Sequence, residues 1–194
     1  MRVLIVIPAR GGSTRVPRKN MQVVGGMTLV ARAYMHALMI KELLARPRSI
    51  DSQIIVSTDD IEIADHVMGF SGVARIRPAA HHGDIPIVDV LKGMRADEIV
   101  GPDGYILLLQ ATTPQRDPRT VDAAVRWAVQ HGYDSMATVG QNGKREGSAY
   151  LVRVSKLYRD SCVFDGTTFT SHADNTIDIN TPADLEEARR ILGP

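Results

Sequence analysis

The chain has 194 residues, with 23 Lys and Arg against 22 Asp and Glu and a formal net charge of +1. That length predicts one domain large enough to bury a real core, and the balanced charge argues against nucleic-acid binding through a broad basic face. A single cysteine, Cys162, excludes an intrachain disulfide and suits a reducing compartment, where it reads as small apolar filler.

The N-terminal stretch is too short and too soon charged for a secretory leader, and no window reaches transmembrane length, so a cytoplasmic protein without membrane contacts is expected. Val3 to Ile7 is an apolar run of the kind buried on both faces of a parallel sheet. It feeds a loop from Pro8 to Asn20 with two adjacent glycines, two prolines and four cations, Arg10, Arg15, Arg18 and Lys19. Glycines let backbone N–H groups approach an oxyanion, and the cations neutralise it. The loop matches neither the P-loop pattern nor the three-glycine dinucleotide fingerprint.

Gln22 to Val24 is extended, Gly25-Gly26 turns, and Thr28 caps a helix to about Ala45. Ile54 to Val56 is a second strand, and Asp59 with Glu62 resembles a capping box for a helix through about Phe70. Val73 to Arg75 is a third strand, Arg77 to Gly83 a loop, and Ile85 to Ile99 a helix. Tyr105 to Leu109 is the most apolar run and the expected central strand. Asp117-Pro118 starts a helix to about His131. Ser135 to Val139 is a strand, Gln141 to Gly147 a polar loop, and Ala149 to Val154 is extended. Val163-Phe164 and Thr168 to Thr170 form a hairpin about Asp165-Gly166. Ile177 to Asn180 is a short strand, and Thr181 caps a terminal helix.

Strands alternating with helices predict an α/β three-layer fold, a mainly parallel sheet with helices on both faces, in one domain over residues 1–194. Ligands of such sheets sit beyond the carboxyl ends of the strands. The segments there are Arg10 to Lys19, Ser57 to Asp60, Arg77 to Asp84, Gln110 to Arg116 and Asp178 to Asn180. Arg15 and Lys19 are the strongest phosphate ligands, the first through bidentate contacts and the second as a point charge. Asp178 and Asn180 lie on one face of a short strand and both offer oxygen, which suits Mg²⁺ shared with phosphate and water. His81-His82 and His172 bring no third metal ligand and read as loop residues.

Ile7 to Ser13, Arg15 and Pro17 to Asn20 resemble the signature of the acylneuraminate cytidylyltransferases, the CMP-sialic acid synthetases. Ile55 to Asp60, Arg77-Pro78-Ala79 with Asp84, Leu108 to Arg116 and Asp178 to Leu185 resemble further motifs of that family in the same order. The Ser13 to Pro17 piece is also similar to the CMP-Kdo synthetases. The resemblance implies a Rossmann-like, glycosyltransferase-A-like nucleotidyltransferase that converts CTP and a sugar acid, with Mg²⁺, into a CMP-sugar and pyrophosphate.

Position by position, the resemblance implies that Arg10, Gly12, Ser13, Arg15 and Lys19 hold the triphosphate and that Arg77, Ala79 and the residues near Gly83 lie at the cytidine. Gly11 and Thr14 complete the expected nucleotide-binding set, and Arg15, Lys19 and Asp178 are the expected catalytic residues. Gln110, Thr112 and Arg116 would meet ribose or acceptor, and Asp178 with Asn180 would hold the metal. Three departures stand out. Thr14 replaces the family's usual lysine, Asn180 replaces its second carboxylate, and residues 140–148 are a shortened form of the segment that carries its dimerisation arm and acceptor pocket. The acceptor therefore stays open between an acylneuraminate, Kdo and a small phosphonate. A homodimer stays open too, as does a nucleotide-binding protein without turnover.

Overall fold

The computed structural model describes residues 1–46, 50–70, 72–77, 82–83, 85–139, 145–170 and 176–193. Seven strands form one sheet in the order β5-β4-β1-β6-β8-β7-β9. They are β1 (Arg2–Ala9), β4 (Asp51–Thr58), β5 (Ala74–Ile76), β6 (Tyr105–Leu108), β7 (Ser135–Val139), β8 (Arg145–Arg153) and β9 (Thr168–Thr170). A small hairpin of β2 (Val23–Val24) and β3 (Met27–Thr28) stands apart. In the large sheet only β8 runs against the others, pairing antiparallel with both β6 and β7. The expectation of a mainly parallel α/β sheet is met.

The continuous apolar run of β1 is explained by its place in the middle: Val3 to Ile7 are fully buried. Val3, Ile5 and Ile7 face one layer, packed with α1 (Leu29–Leu44), α2 (Ile61–Gly69) and α5 (Pro118–Gln130). Leu4 and Val6 face the other, with α3 (Ile87–Gly93), α4 (Ala96–Val100) and α6 (Val154–Asp160). A third cluster joins Val16 of the basic loop to Val24, Leu29 and Ile179, and to Leu185 and Ala188 of α7 (Pro182–Leu192). That satellite core fastens the basic loop and the Asp178 segment to the same helix.

The helix starts follow the expected capping. Thr28 Oγ1 accepts from the Ala31 N–H, Asp117 accepts from the Arg119 and Thr120 N–H groups, and Thr181 with Asp184 closes a full capping box. Six expectations need correction. The cap of α2 is Asp60, whose carboxylate accepts from Glu62 and Ile63, and not Asp59. The helix expected over Ile85 to Ile99 is two helices, because Arg95 adopts a left-handed φ of 52° just after Gly93 and Met94. Their apolar spacing continues across the break, so periodicity alone reads one helix. α6 fills a stretch for which no helix is expected.

Val163-Phe164 does not pair with β9. Val163 packs under the sheet, Phe164 meets Tyr150 edge-on, and β9 lies parallel beside β7. Ile177 to Asn180 forms no strand; the Ile179 N–H donates to the Thr112 carbonyl at 2.9 Å. Of the loop expected over Gln141 to Gly147, residues 145–147 belong to β8, and Gln141 to Lys144 lie outside the described residues.

The failed hairpin leaves an ion cluster in its place. The Lys156 side chain, only 7% exposed, donates to Asp160 at 2.7 Å and reaches Asp165 at 2.8 Å, and Asp165 also accepts from Ser135. The hydrogen bonds from Lys156 and then Ser135 hold the Asp165 carboxyl below its ordinary range. Stability from Asp165 is therefore complete above its unfolded value near about pH 4 and falls away as the pH drops through the depressed folded value. Lys156→Met is expected to lower the thermal midpoint by about 2–4 °C, the shift of about 1 kcal/mol in a chain of this size, since both carboxylates are partly solvated. Differential scanning calorimetry at pH 7 checks it; an unchanged midpoint would assign the cluster no net stabilising role.

Candidate active site

Register brings the predicted loops together. β1 pairs with β4 so that Ala9 lies opposite Thr58, and β4 pairs with β5 so that Thr58 lies opposite Ile76. Arg10, Asp59 and Arg77 thus leave three adjacent strands at one level. On the other side of β1, Leu108 lies opposite Val6 and the Leu109 N–H continues the pairing to Val6, which delivers Gln110 to the same rim. The chain steps from β1 outward to β4 and β5 and then returns to β6 across β1. The β1–β6 boundary is therefore the switch point at which open α/β sheets bind ligands.

A cavity of about 320 Å³ opens there. Its lining includes Arg10, Ser13, Lys19, Arg77, Gly83, Gln110, Thr112, Asp178 and Asn180, nine of the residues singled out in the sequence. Ile85, Ile87 and Val90 give it an apolar side. A second cavity of about 210 Å³ shares Arg10, Ser13, Lys19 and Asn180 with the first and adds Thr14 and Arg15. Ala79 and Asp84 lie outside the described residues, as do His81 and His172.

Lys19 stands on the wall common to both cavities. Its Nζ donates to the Ile179 carbonyl at 2.9 Å. Burial lowers its pKa, Asp178 pulls the other way, and Arg10 and Arg15 add to the lowering. Asn20, buried behind the loop, donates its amide to the Arg10 carbonyl at 2.8 Å. Arg77 is buried and donates to the Ser57 hydroxyl at 3.1 Å and the Ser57 carbonyl at 2.9 Å; burial lowers its pKa, and Asp59 opposes that. Arg18 turns away: it holds a left-handed φ of 51° and pairs with Glu62 at 2.8 Å on the surface.

Two oxygens at the cavities are buried and lack any hydrogen-bond partner, Ser13 Oγ and Asp178 Oδ1. The second Asp178 oxygen accepts from the Asn180 amide at 2.8 Å. Buried polar atoms in folded proteins are nearly always satisfied, so a pair of orphans beside a cationic wall points to a polar ligand. No group of three or more His, Cys, Asp or Glu capable of holding a metal occurs among the described residues. Any cation here would rely on the one carboxylate of Asp178, with the remaining positions supplied by ligand oxygens and water, as Mg²⁺ tolerates.

Three of the selected residues stand apart from the cavity linings. Gly11 gives its N–H to Asp59 at 2.8 Å, so that donor is committed within the protein. Gly12 is exposed and lines neither cavity. Arg116 is buried behind Gln110; its guanidinium donates to the carbonyls of Gln110 and Ser148 and to the Thr113 hydroxyl, and burial lowers its pKa to about 9. It braces the Gln110 to Thr113 turn from within. Sequence reasoning gave no role to Asn20 and made Asp59 a helix cap. The signal for Asp59 lay in the adjacent pair Asp59-Asp60 at a strand end, where only one residue can be the cap.

The sequence profile of the cytidylyltransferase family matches residues 4–162. An 8-amino-3,8-dideoxy-manno-octulosonate cytidylyltransferase of Shewanella sediminis is 33% identical over 144 residues, 72% of this chain and 53% of that protein. A CMP-N,N'-diacetyllegionaminic acid synthase of Legionella pneumophila is 34% identical over 131 residues, 64% of this chain and 52% of that protein. The chain thus spans about half the length of the curated relatives it matches. Among solved structures, a CMP:2-keto-3-deoxy-manno-octonic acid synthetase complexed with CTP superposes with a TM-score of 0.74 at 19% identity, covering 99% of this chain and 98% of that one. The family profile takes in β1, the basic loop and the Gln110 turn that frame the cavity, and on that match the chain belongs to the cytidylyltransferase family.

Proposed function

We propose that this chain transfers CMP from CTP to a hydroxyl of a small acidic acceptor, a sugar acid such as an acylneuraminate, and releases pyrophosphate. The observation that carries the reading is the pair of buried, unpartnered oxygens, Ser13 Oγ and Asp178 Oδ1, on a cavity walled by Arg10, Lys19 and Arg77. The smaller cavity, lined by Arg10, Ser13, Arg15 and Lys19, would take the β- and γ-phosphates. The larger would take the nucleoside along Arg77, Gly83 and the apolar side, and the acceptor beside Gln110 and Thr112.

In the reaction the acceptor oxygen forms a bond to the α-phosphorus, and the bond from that phosphorus to the bridging oxygen breaks. Pyrophosphate leaves with the electron pair, and the hydroxyl proton passes to solvent. Lys19, Arg10 and Arg15 hold the triphosphate in line and stabilise charge on the leaving pyrophosphate. Ser13 supplies a hydroxyl donor to a phosphate oxygen. Asp178, with its second oxygen fixed by Asn180, would hold Mg²⁺. When bound, that ion supplies Lewis-acid polarisation of the phosphoryl oxygens.

The names of the matched relatives, an octulosonate and a legionaminic acid enzyme, support a sugar acid as acceptor. Purified protein with CTP and Mg²⁺ is to be offered acylneuraminates, octulosonates and phosphonates while pyrophosphate is measured. Release with CTP that depends on a sugar acid is the expected result. Release only with a phosphonate would keep the cytidylyl transfer and reject the sugar acid. CTP binding without release for any acceptor would reduce the chain to a nucleotide-binding protein.

A further inference from the structure

Asp59 makes a contact that neither capping nor ion pairing explains. Its two carboxylate oxygens are shared between two loops: Oδ1 accepts from the Gly11 N–H at 2.8 Å, and Oδ2 accepts from the Gly83 N–H at 2.9 Å. Gly11 begins the basic loop that follows β1, and Gly83 belongs to the stretch that follows β5. The basic loop supplies Arg10, Ser13 and Lys19 to the cavity and the later stretch supplies Gly83 itself, although the two glycines are 72 positions apart in the chain.

Each partner is a glycine for a separate physical reason. A Cβ on Gly11 would run into the Asp60 side chain, the cap of α2, so only glycine allows the loop to lie this close to the end of β4. Gly83 has a φ of +81°, in the left-handed region that side chains resist. Asp60 spends its Oδ1 on the Glu62 and Ile63 N–H groups as the cap of α2, while Asp59 is the carboxylate that reaches both loops.

We propose that Asp59 is a positioning residue that clamps the Gly11 and Gly83 backbones at a fixed separation, so that the triphosphate and nucleoside halves of one CTP are bound together. The proposal rests on the CTP reading above. It assigns Asp59 no contact with substrate: the carboxylate acts through two backbone donors. Both are charge-assisted hydrogen bonds, about twice as strong as neutral ones. Burial pushes the Asp59 carboxyl up, while the Gly83 and Gly11 donors and the Arg77 charge outweigh that and hold it below its ordinary value, so the clamp stays ionised at neutral pH. Two subsites held in register make the second half of a ligand bind as an intramolecular event. Loss of the register removes that advantage while each subsite keeps its own contacts.

Asp59→Asn puts an amide N–H where one backbone donor expects an acceptor, so one strut of the clamp is lost with little change in volume. Calorimetric titrations should compare CTP, cytidine and inorganic triphosphate at one Mg²⁺ concentration on wild type and variant. The expected result is a loss of about tenfold or more in CTP affinity, with cytidine and triphosphate each within about threefold of wild type. An equal loss for all three ligands would assign Asp59 a general structural role and overturn the clamp. Unchanged CTP affinity in the variant would overturn it as well, while leaving the CTP reading intact. Failure of wild-type protein to bind CTP would overturn both.

Should Asp59→Asn not fold, NMR of the wild type decides. The Gly11 and Gly83 amide resonances are expected to shift together with one shared apparent pKa below that of an ordinary aspartate; separate titrations, or none, would overturn the clamp.

Discussion

Lys19→Met is expected to lower kcat/KM for CTP by about 10²–10³-fold, the cost of removing one preorganised donor from a developing anion. Arg18 is spent on Glu62 at the surface and Arg15 lines only the smaller cavity, whereas Lys19, with Arg10, lies on the wall shared by both. Its Nζ is held by the Ile179 carbonyl, which ties its position to the segment carrying Asp178. A methionine preserves most of the stem packing and removes the charge. The same residue predicts a pH profile. Burial, reinforced by Arg10 and Arg15 and opposed by Asp178, lowers the Lys19 pKa from its ordinary 10.5. The unliganded protein therefore loses this charge earlier on the alkaline side than an ordinary lysine would allow. kcat/KM should show an alkaline limb below pH 10.5, since that ratio reports free-enzyme groups. In Lys19→Arg the limb should disappear while part of the activity remains, because guanidinium does not deprotonate in this range. A steady-state series from pH 7 to 10.5 on the three proteins checks both expectations. Retention of wild-type kcat/KM in Lys19→Met would take Lys19 out of the site.

Most of what frames this site is written locally. An apolar run wholly buried in the sheet, a glycine pair and clustered cations can be read without knowing any partner strand, and so can the caps at Thr28, Asp117 and Thr181. The polar segments at the strand ends converge because parallel topology compels it. What escapes the sequence depends on pairings between distant segments. Asp59 reads as a cap until Asp60 is seen to take α2, and its true partners, Gly11 and Gly83, are fixed by the registers of β1 with β4 and β4 with β5. Arg116 is put at the acceptor by its place in a matched motif, yet it is buried and donates back to the Gln110 carbonyl of its own turn. Asp165-Gly166 marks a bend correctly, but the partner of β9 is β7, chosen by an open sheet edge that no local pattern reveals.

Asp178→Asn separates the metal from the phosphate cations. The substitution keeps shape, and an oxygen to accept from the Asn180 amide, but removes the negative charge from the one carboxylate with an unpartnered oxygen that lines the cavity among the described residues. With Asn180 neutral, Asp178 provides the whole protein charge available to a cation among the described groups of this segment. Turnover is expected to fall by about a hundredfold or more, consistent with several kcal/mol of charge stabilisation, and the Mg²⁺ midpoint should rise. CTP binding without metal should not weaken, because the phosphates lose a repelling neighbour. Asn180→Asp makes the converse prediction, a lower Mg²⁺ midpoint. Since Asp178 opposes the lowering of the Lys19 pKa, Asp178→Asn should also carry the alkaline limb to still lower pH. Metal titrations of pyrophosphate release, run beside the pH series, test these together. An unchanged Mg²⁺ midpoint with a displaced limb would leave Asp178 as a charge partner of Lys19 and not a metal ligand, whereas movement of both is what a carboxylate standing between the cation and the lysine requires.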